Sequence, residues 1–232
     1  LVEQYSAEQA LGYDRRREVT PRYAQEVAVF SRLLAAIAPE TVIDCPFGTG
    51  RWLERYLAAG ARVVGIDASA DMLEIARAKP GASSRQVSML QGSIFDQALF
   101  SQFGAPGVDL AVCVRFANWI SLPELEQAVA SLGAARPRHL VLGVSVRPRD
   151  WSLWKRAQAR VQLWRHNRRL LAQGKPIHHV HDEQAVLELL SRAGWCVVSD
   201  DVIFTDPVRV NRFLHLVRQV PAGGATPPAI RA

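Results

Sequence analysis

The stretch 41-TVIDCPFGTGRWLERYLAAGARVVGIDAS-69 decides the fold. A short β-branched run ends in Asp44 and Cys45 and passes into a turn bearing Gly48 and Gly50. A helical segment at 49–59, closed by Gly60, follows, and then a second β-branched run that stops on Asp67. Strand, turn, helix, strand is the repeating unit of a parallel sheet, and such sheets hold ligands at the carboxyl ends of their strands. Glycines in that turn let backbone N–H groups approach a ligand, and the helix N-terminus favours negative charge. Three readings compete: a dinucleotide fingerprint, another cofactor's loop, or a packing turn with no ligand. The fingerprint needs G-x-G-x-x-G, but Leu53 occupies its third glycine position, and the Walker pattern is absent.

The alternation continues on both sides. Upstream, 22-RYAQEVAVFSRLLAAIA-38 places Val27, Phe30, Leu33, Leu34 and Ile37 at helical spacing before Pro39. Downstream, a helix is predicted over 69–79 with Ser69 as N-cap, and strands over 84–92 and 108–115, the latter apolar almost throughout. A helix at 122–135 with Pro123 in its first turn and a strand at 139–146 complete the regular part. A basic helical segment at 151–172 and a helix at 182–194 then precede two strands, 195–204 and 209–219, read as an antiparallel hairpin. The expectation is an α/β fold with a doubly wound, mostly parallel sheet.

Composition narrows the function classes. The chain has 232 residues, enough for one generous domain with a sizeable core. No apolar run approaches the roughly 18 to 20 residues of a membrane span, and LVEQYSAEQALGYDRRRE at the start lacks a signal-peptide core. Cys45, Cys113 and Cys196 are odd in number and lie in apolar runs, which predicts reduced core residues of an intracellular, cytoplasmic protein. Charge is uneven. Residues 136–181 hold eleven Lys or Arg against one acid, Asp150, a net of +10; with +6 for the whole chain, the remainder carries −4. The basicity therefore bears on the substrate and not on the fold.

DCPFGTG followed by VVGIDASADML closely resembles the class I S-adenosylmethionine-dependent methyltransferases, in the small-molecule or ubiquinone-biosynthesis-like branch. The resemblance runs from about residue 11 to 146 and more loosely from 182 to 219. It implies a Rossmann-like sheet of seven strands with the last antiparallel, S-adenosylmethionine as cofactor and S-adenosylhomocysteine as product. It also implies roles for single residues. Asp44, Gly48 and Gly50 would form the loop beside the methionine and ribose parts, with Pro46 in the first glycine position of the usual turn. Asp67 would accept from the ribose hydroxyls, since a carboxylate has the lone pairs for a vicinal diol. Ala68 and Met72 would line the adenine pocket, Ser93 and Ile94 would meet the ring edge, and Arg115 would sit beside the reacting methyl. Tyr13 would cap the site, and Arg16 or Arg17 would meet a carboxylate. The corresponding organisation is a helical cap at 1–40, a cofactor-binding core at 41–146, a basic helical lid at 147–181, a helix and hairpin at 182–220 completing the core, and a disordered tail at 221–232.

Acceptor candidates lie elsewhere. In 115-RFANWISL-122, Phe116, Asn118 and Trp119 behind Arg115 offer the apolar surface with a few polar groups that pockets use. On the basic helix, Trp154, Ala157, Val161, Trp164 and Leu171 share one face, expected to pack on the body. Lys155, Arg165 and Arg169 share the other, either solvated or receiving an anionic acceptor. The run H-H-x-H at 178–181 fits no zinc spacing, so no metal is expected, and His179 or His181 is a candidate general base. The expected activity is methyl transfer to the oxygen or nitrogen of a small, anionic or phosphate-containing acceptor. The alternatives are a non-catalytic subunit that holds a protein partner through 151–172, or an RNA methyltransferase, for which no nucleic-acid-binding motif speaks.

Overall fold

The computed structural model describes residues 20–219, so Tyr13, Arg16, Arg17 and the tail at 221–232 lie outside the described residues. The described chain begins with α1 (Pro21–Ile37), started by Thr20, whose side chain accepts from the Tyr23 N–H, and by Pro21 in the first turn. Then come β1 (Thr41–Asp44), α2 (Leu53–Ala58), β2 (Arg62–Asp67), α3 (Ala70–Arg77), β3 (Val87–Gln91), α4 (Gln97–Ser101) and β4 (Leu110–Cys113). After a short 3₁₀ turn at Ala117–Trp119 follow α5 (Leu122–Ala134), β5 (His139–Arg147), α6 (Leu153–Ala172), β6 (His181–Asp182), α7 (Glu183–Arg192), β7 (Trp195–Thr205) and β8 (Val210–Arg218).

The strands form one sheet in the order β3-β2-β1-β4-β5-β8-β7, with the two-residue β6 paired to the end of β5. Strands β1 to β5 are parallel, and β8 runs antiparallel between β5 and β7. This is the expected doubly wound sheet with an antiparallel last strand; only the short β6 is additional. The order reverses between β1 and β4, and a crevice opens at their carboxyl ends. β4 is wholly buried, as a central strand covered on both faces must be. One core layer carries α5 and α7 side chains such as Leu125, Leu132 and Leu189; the other carries Phe30, Leu33 and Leu34 of α1 with Trp52 and Tyr56. α1 is thus part of the sheet's packing, and only its N-terminal part, Arg22 to Glu26, lines a cavity.

Two expectations are corrected. Thr49 does not open a helix: residues 48–52 form a turn, and α2 begins at Leu53, because Gly48 and Gly50 adopt φ of 57° and 69°. Cys45 and Cys113 are buried, but Cys196 is exposed on the edge strand β7, as are Val197 and Val198 after it.

Candidate active site

The first strand ends on Asp44 and turns through a cis Cys45–Pro46 bond. The turn is then tied to the second strand. Phe47 N–H donates to the Ile66 carbonyl at 2.8 Å, Gly48 N–H to Asp67 Oδ2 at 2.7 Å, and Ser69 N–H to Asp67 Oδ1 at 2.9 Å. The Phe47 ring lies over β2, where a Cβ on Gly65 would come within 2.6 Å of it. A Cβ on Gly50 would stand 3.1 Å from the same ring, so Gly50 serves packing and does not reach the cavity wall.

The cavity at this crevice holds about 410 Å³. Asp44, Pro46, Gly48, Asp67, Ala68, Met72, Ser93, Ile94 and Arg115 all line it, together with Phe116 and Trp119. Ser93 Oγ accepts from Phe95 N–H at 3.2 Å, which fixes the turn after β3. Thr49, Arg51, Trp52, Phe95 and Pro176 also contribute to the wall, beyond what the sequence pattern named. Burial raises the Asp67 carboxyl above its usual range, against the lowering effect of the Ser69, Gly48 and Ala68 N–H groups. Burial raises Asp44 further; a Tyr56 hydroxyl donating to Oδ2 at 3.0 Å opposes this, and the neighbouring Asp67 charge adds to it. Asp44 Oδ1 is buried and has no hydrogen-bond partner among the described residues. A buried oxygen in that condition costs the fold about 1–3 kcal/mol unless a donor arrives, so the site is built for a ligand donor. Burial likewise raises the Cys45 thiol, which stays protonated and is no nucleophile.

A second cavity, of about 300 Å³, shares Arg115 and Trp119 with the first. Its walls come from distant segments: Arg22, Tyr23 and Glu26 of α1, Asn118, His178, and Arg209 and Asn211 at the start of β8. The antiparallel pairing explains the last two, since Ser145↔Asn211 and Val146↔Val210 set the beginning of β8 against the carboxyl end of β5. Glu26 is buried and organises this side. It accepts from Arg22 Nε at 3.1 Å, from an Arg51 terminal nitrogen at 2.6 Å and from one of Arg115 at 3.4 Å. Arg51 lies over the Tyr23 ring, 4.4 Å from its centroid. Arg115 itself has φ 63°, a left-handed backbone that side-chain-bearing residues rarely adopt and that clusters at functional sites. Asn211 Oδ1 accepts from Ser145 Oγ and Arg22, whereas its Nδ2 is a buried donor with no partner among the described residues.

Other sequence candidates are not brought together here. His181 is buried, and its Nε2 bonds the Ala117 carbonyl at 2.8 Å; burial lowers its pKa, and it faces neither cavity. His179 lines neither cavity; its N–H donates to the Asn118 carbonyl at 2.7 Å. The imidazole on the cavity wall is that of His178, edge-on to Trp119 at 4.4 Å between ring centroids. Trp154, Arg165 and Arg169 are exposed and line neither cavity. The Trp154 stripe does not pack on the body. α6 instead turns inward the side bearing Ala159, Leu163 and Leu170, because Arg156 pairs with Asp182 and Asn167 bonds both backbone groups of His178, at 2.9 and 3.0 Å.

Residues 42–135 match the family of methyltransferase domains. The chain carries a methyltransferase domain over those residues. Solved structures agree in fold. Magnesium protoporphyrin IX methyltransferase from Synechocystis, with bound S-adenosylhomocysteine, is similar at 19% identity and TM-score 0.64, covering 90% of this chain and 95% of that one. The 1,6-didemethyltoxoflavin-N1-methyltransferase of Burkholderia thailandensis gives 15% identity and TM-score 0.58 over 90% and 84% of the two chains. Human N-acetylserotonin methyltransferase gives 14% and 0.57, covering 93% of this chain and 57% of that one. No curated protein sequence matches. The wall of the larger cavity suits the family's cofactor on its own chemistry: one buried carboxylate oxygen awaiting a donor, a second carboxylate at a strand end, and apolar side chains between.

Proposed function

We infer that this methyltransferase acts on a small anionic acceptor bound in the polar cavity beside Arg115 and Trp119. The observation that carries the reading is the meeting of two unlike cavities at those two residues. In the larger one, Asp44 would hold the cofactor's ammonium through Oδ1 and Asp67 its ribose hydroxyls, with Met72 and Ile94 against the adenine. When bound, S-adenosylmethionine supplies a methyl group on a sulfonium, which an acceptor displaces in line.

The chain's task is then to hold and orient the acceptor and exclude water. Among the described residues the polar walls bear Arg22, Arg115 and Arg209 against the carboxylate of Glu26, an excess of two positive charges. Arginine forks suit carboxylate and phosphate oxygens. Asn211 Nδ2 adds a neutral donor, and Trp119 a flat wall between donor and acceptor. His178 takes the proton where the acceptor is an alcohol. Arg209 also pairs with Asp206 at 3.2 Å, which orients it without removing it from the cavity.

The test is turnover with a panel of small alcohols and amines carrying carboxylate or phosphate, each beside its neutral analogue, read as S-adenosylhomocysteine formed. Turnover confined to anionic members, with KM raised about tenfold in Arg209→Gln and cofactor affinity unchanged, supports the reading. Preference for the neutral analogues, or an Arg209→Gln enzyme with unaltered KM, sinks it.

A further inference from the structure

We propose that the outward face of α6 seats this protein on an anionic lipid surface. Leu153 is 85% exposed, Trp154 81%, Leu171 63%, Trp164 55% and Val161 48%. At 100° per residue these five, with Ala157, fall in one arc of about 100°. Leaving so much apolar surface in water on a single arc is unusual for a face with no partner.

The flanks identify the partner. Lys155, Arg165 and Arg169 border the arc on one side and Arg160 on the other. Arg168 lies within it, its guanidinium 4.9 Å from the Trp164 ring centroid. The helix holds six Lys or Arg and no acid. An apolar strip carrying tryptophan and edged by cations is the pattern of a helix lying in the headgroup layer: the ring and aliphatic side chains enter the acyl boundary, and long basic side chains reach back to the phosphates. Among the described residues no helix is long and apolar enough to cross a membrane, so the contact is with the surface.

Two rival occupants fit less well. A second copy of the same face would oppose five cations with five more. A nucleic acid would match the charge, but Leu153, Val161 and Leu171 offer bases no stacking surface and would remain in water. The inward side of α6, held by Asn167 to the His178 backbone, stays on the body while the outer side docks.

The experiment is co-sedimentation of the full chain with vesicles of phosphatidylcholine alone or with about 30 mol % phosphatidylserine. Tryptophan quenching by brominated acyl chains is read in parallel. Binding to the anionic vesicles, weakened by salt and accompanied by quenching, is expected. Trp154→Glu with Trp164→Glu should lower the partition coefficient at least about tenfold, and so should Arg165→Glu with Arg169→Glu. The thermal shift given by S-adenosylhomocysteine should persist in both, which separates lost docking from lost folding. Absence of binding to the anionic vesicles at low salt overturns the proposal. So does binding that neither double variant weakens, or retention of a single-stranded RNA or self-association through the tryptophans without vesicle binding.

Discussion

The two cavities that meet at Arg115 are built by different means. The larger is made by one contiguous stretch and the turns beside it, with backbone N–H groups and two carboxylates in fixed places. The smaller is made by side chains from four separate parts of the chain, drawn together by one buried carboxylate. On the proposed reading, local geometry suffices to hold the cofactor, and the acceptor is met where loops, a helix start and an added strand can vary without disturbing the sheet.

That contrast predicts opposite consequences for removing a carboxylate from each side, and the largest effect falls on the polar side. Glu26→Ala removes the buried carboxylate that Arg22, Arg51 and Arg115 share, and should lower unfolding stability by about 3–5 kcal/mol in urea titration. A loss under 1 kcal/mol, about the value of an exposed pair, would show that the arginines are solvated and that Glu26 is no organiser.

Asp67→Ala should do the reverse, leaving stability little changed and weakening S-adenosylhomocysteine binding by at least about a hundredfold by calorimetry, the value of two hydrogen bonds to a charged group. Retained affinity would move the ribose away from this strand end.

A pH series separates the cavities further. Burial raises Asp44 and Asp67 above their unfolded values, so their contribution to stability is full below the ordinary carboxylate range and is lost as pH rises through the raised values. Cofactor donors favour the ionised forms. Affinity for S-adenosylhomocysteine should therefore climb through that same window, by up to about tenfold per pH unit for each proton released. Calorimetry in buffers of different ionisation enthalpy would register the proton; a flat profile would mean that both carboxyls are already ionised in the free protein.

The smallest effect is expected on α6. Charge reversal at Arg165 and Arg169 should leave the acceptor's KM and cofactor affinity unchanged, because both side chains are exposed and away from either cavity. A raised KM would bring the helix back to the acceptor.

Legibility followed the same division. The loop at 44–50 and the acid at 67 could be read because a strand, its turn and the next strand interact within one short segment. Gly50 was the exception: its role is set by the Phe47 ring and Ala76, which the pattern does not reveal. Glu26 left a trace, an acid on the apolar stripe of α1 one turn before Val29 and Phe30. Asn211 left another, an amide beside Val210 at the start of β8. Neither trace says what the residue meets. The histidine run could not be resolved, since whether 178, 179 or 181 lines a cavity depends on how the loop is pinned by Asn167 and Asn118.

By itself, then, the sequence determined the doubly wound sheet, which rests on periodicity and short-range turn chemistry, and its resemblance to a known family pointed to the cofactor class. The tertiary structure decided which charges share a cavity and which face of α6 turns outward. Those outcomes depend on contacts between residues far apart in the chain, Arg22 with Asn211 and Arg156 with Asp182, whose energies exist only once β8 has paired with β5 and the helices have closed on the sheet.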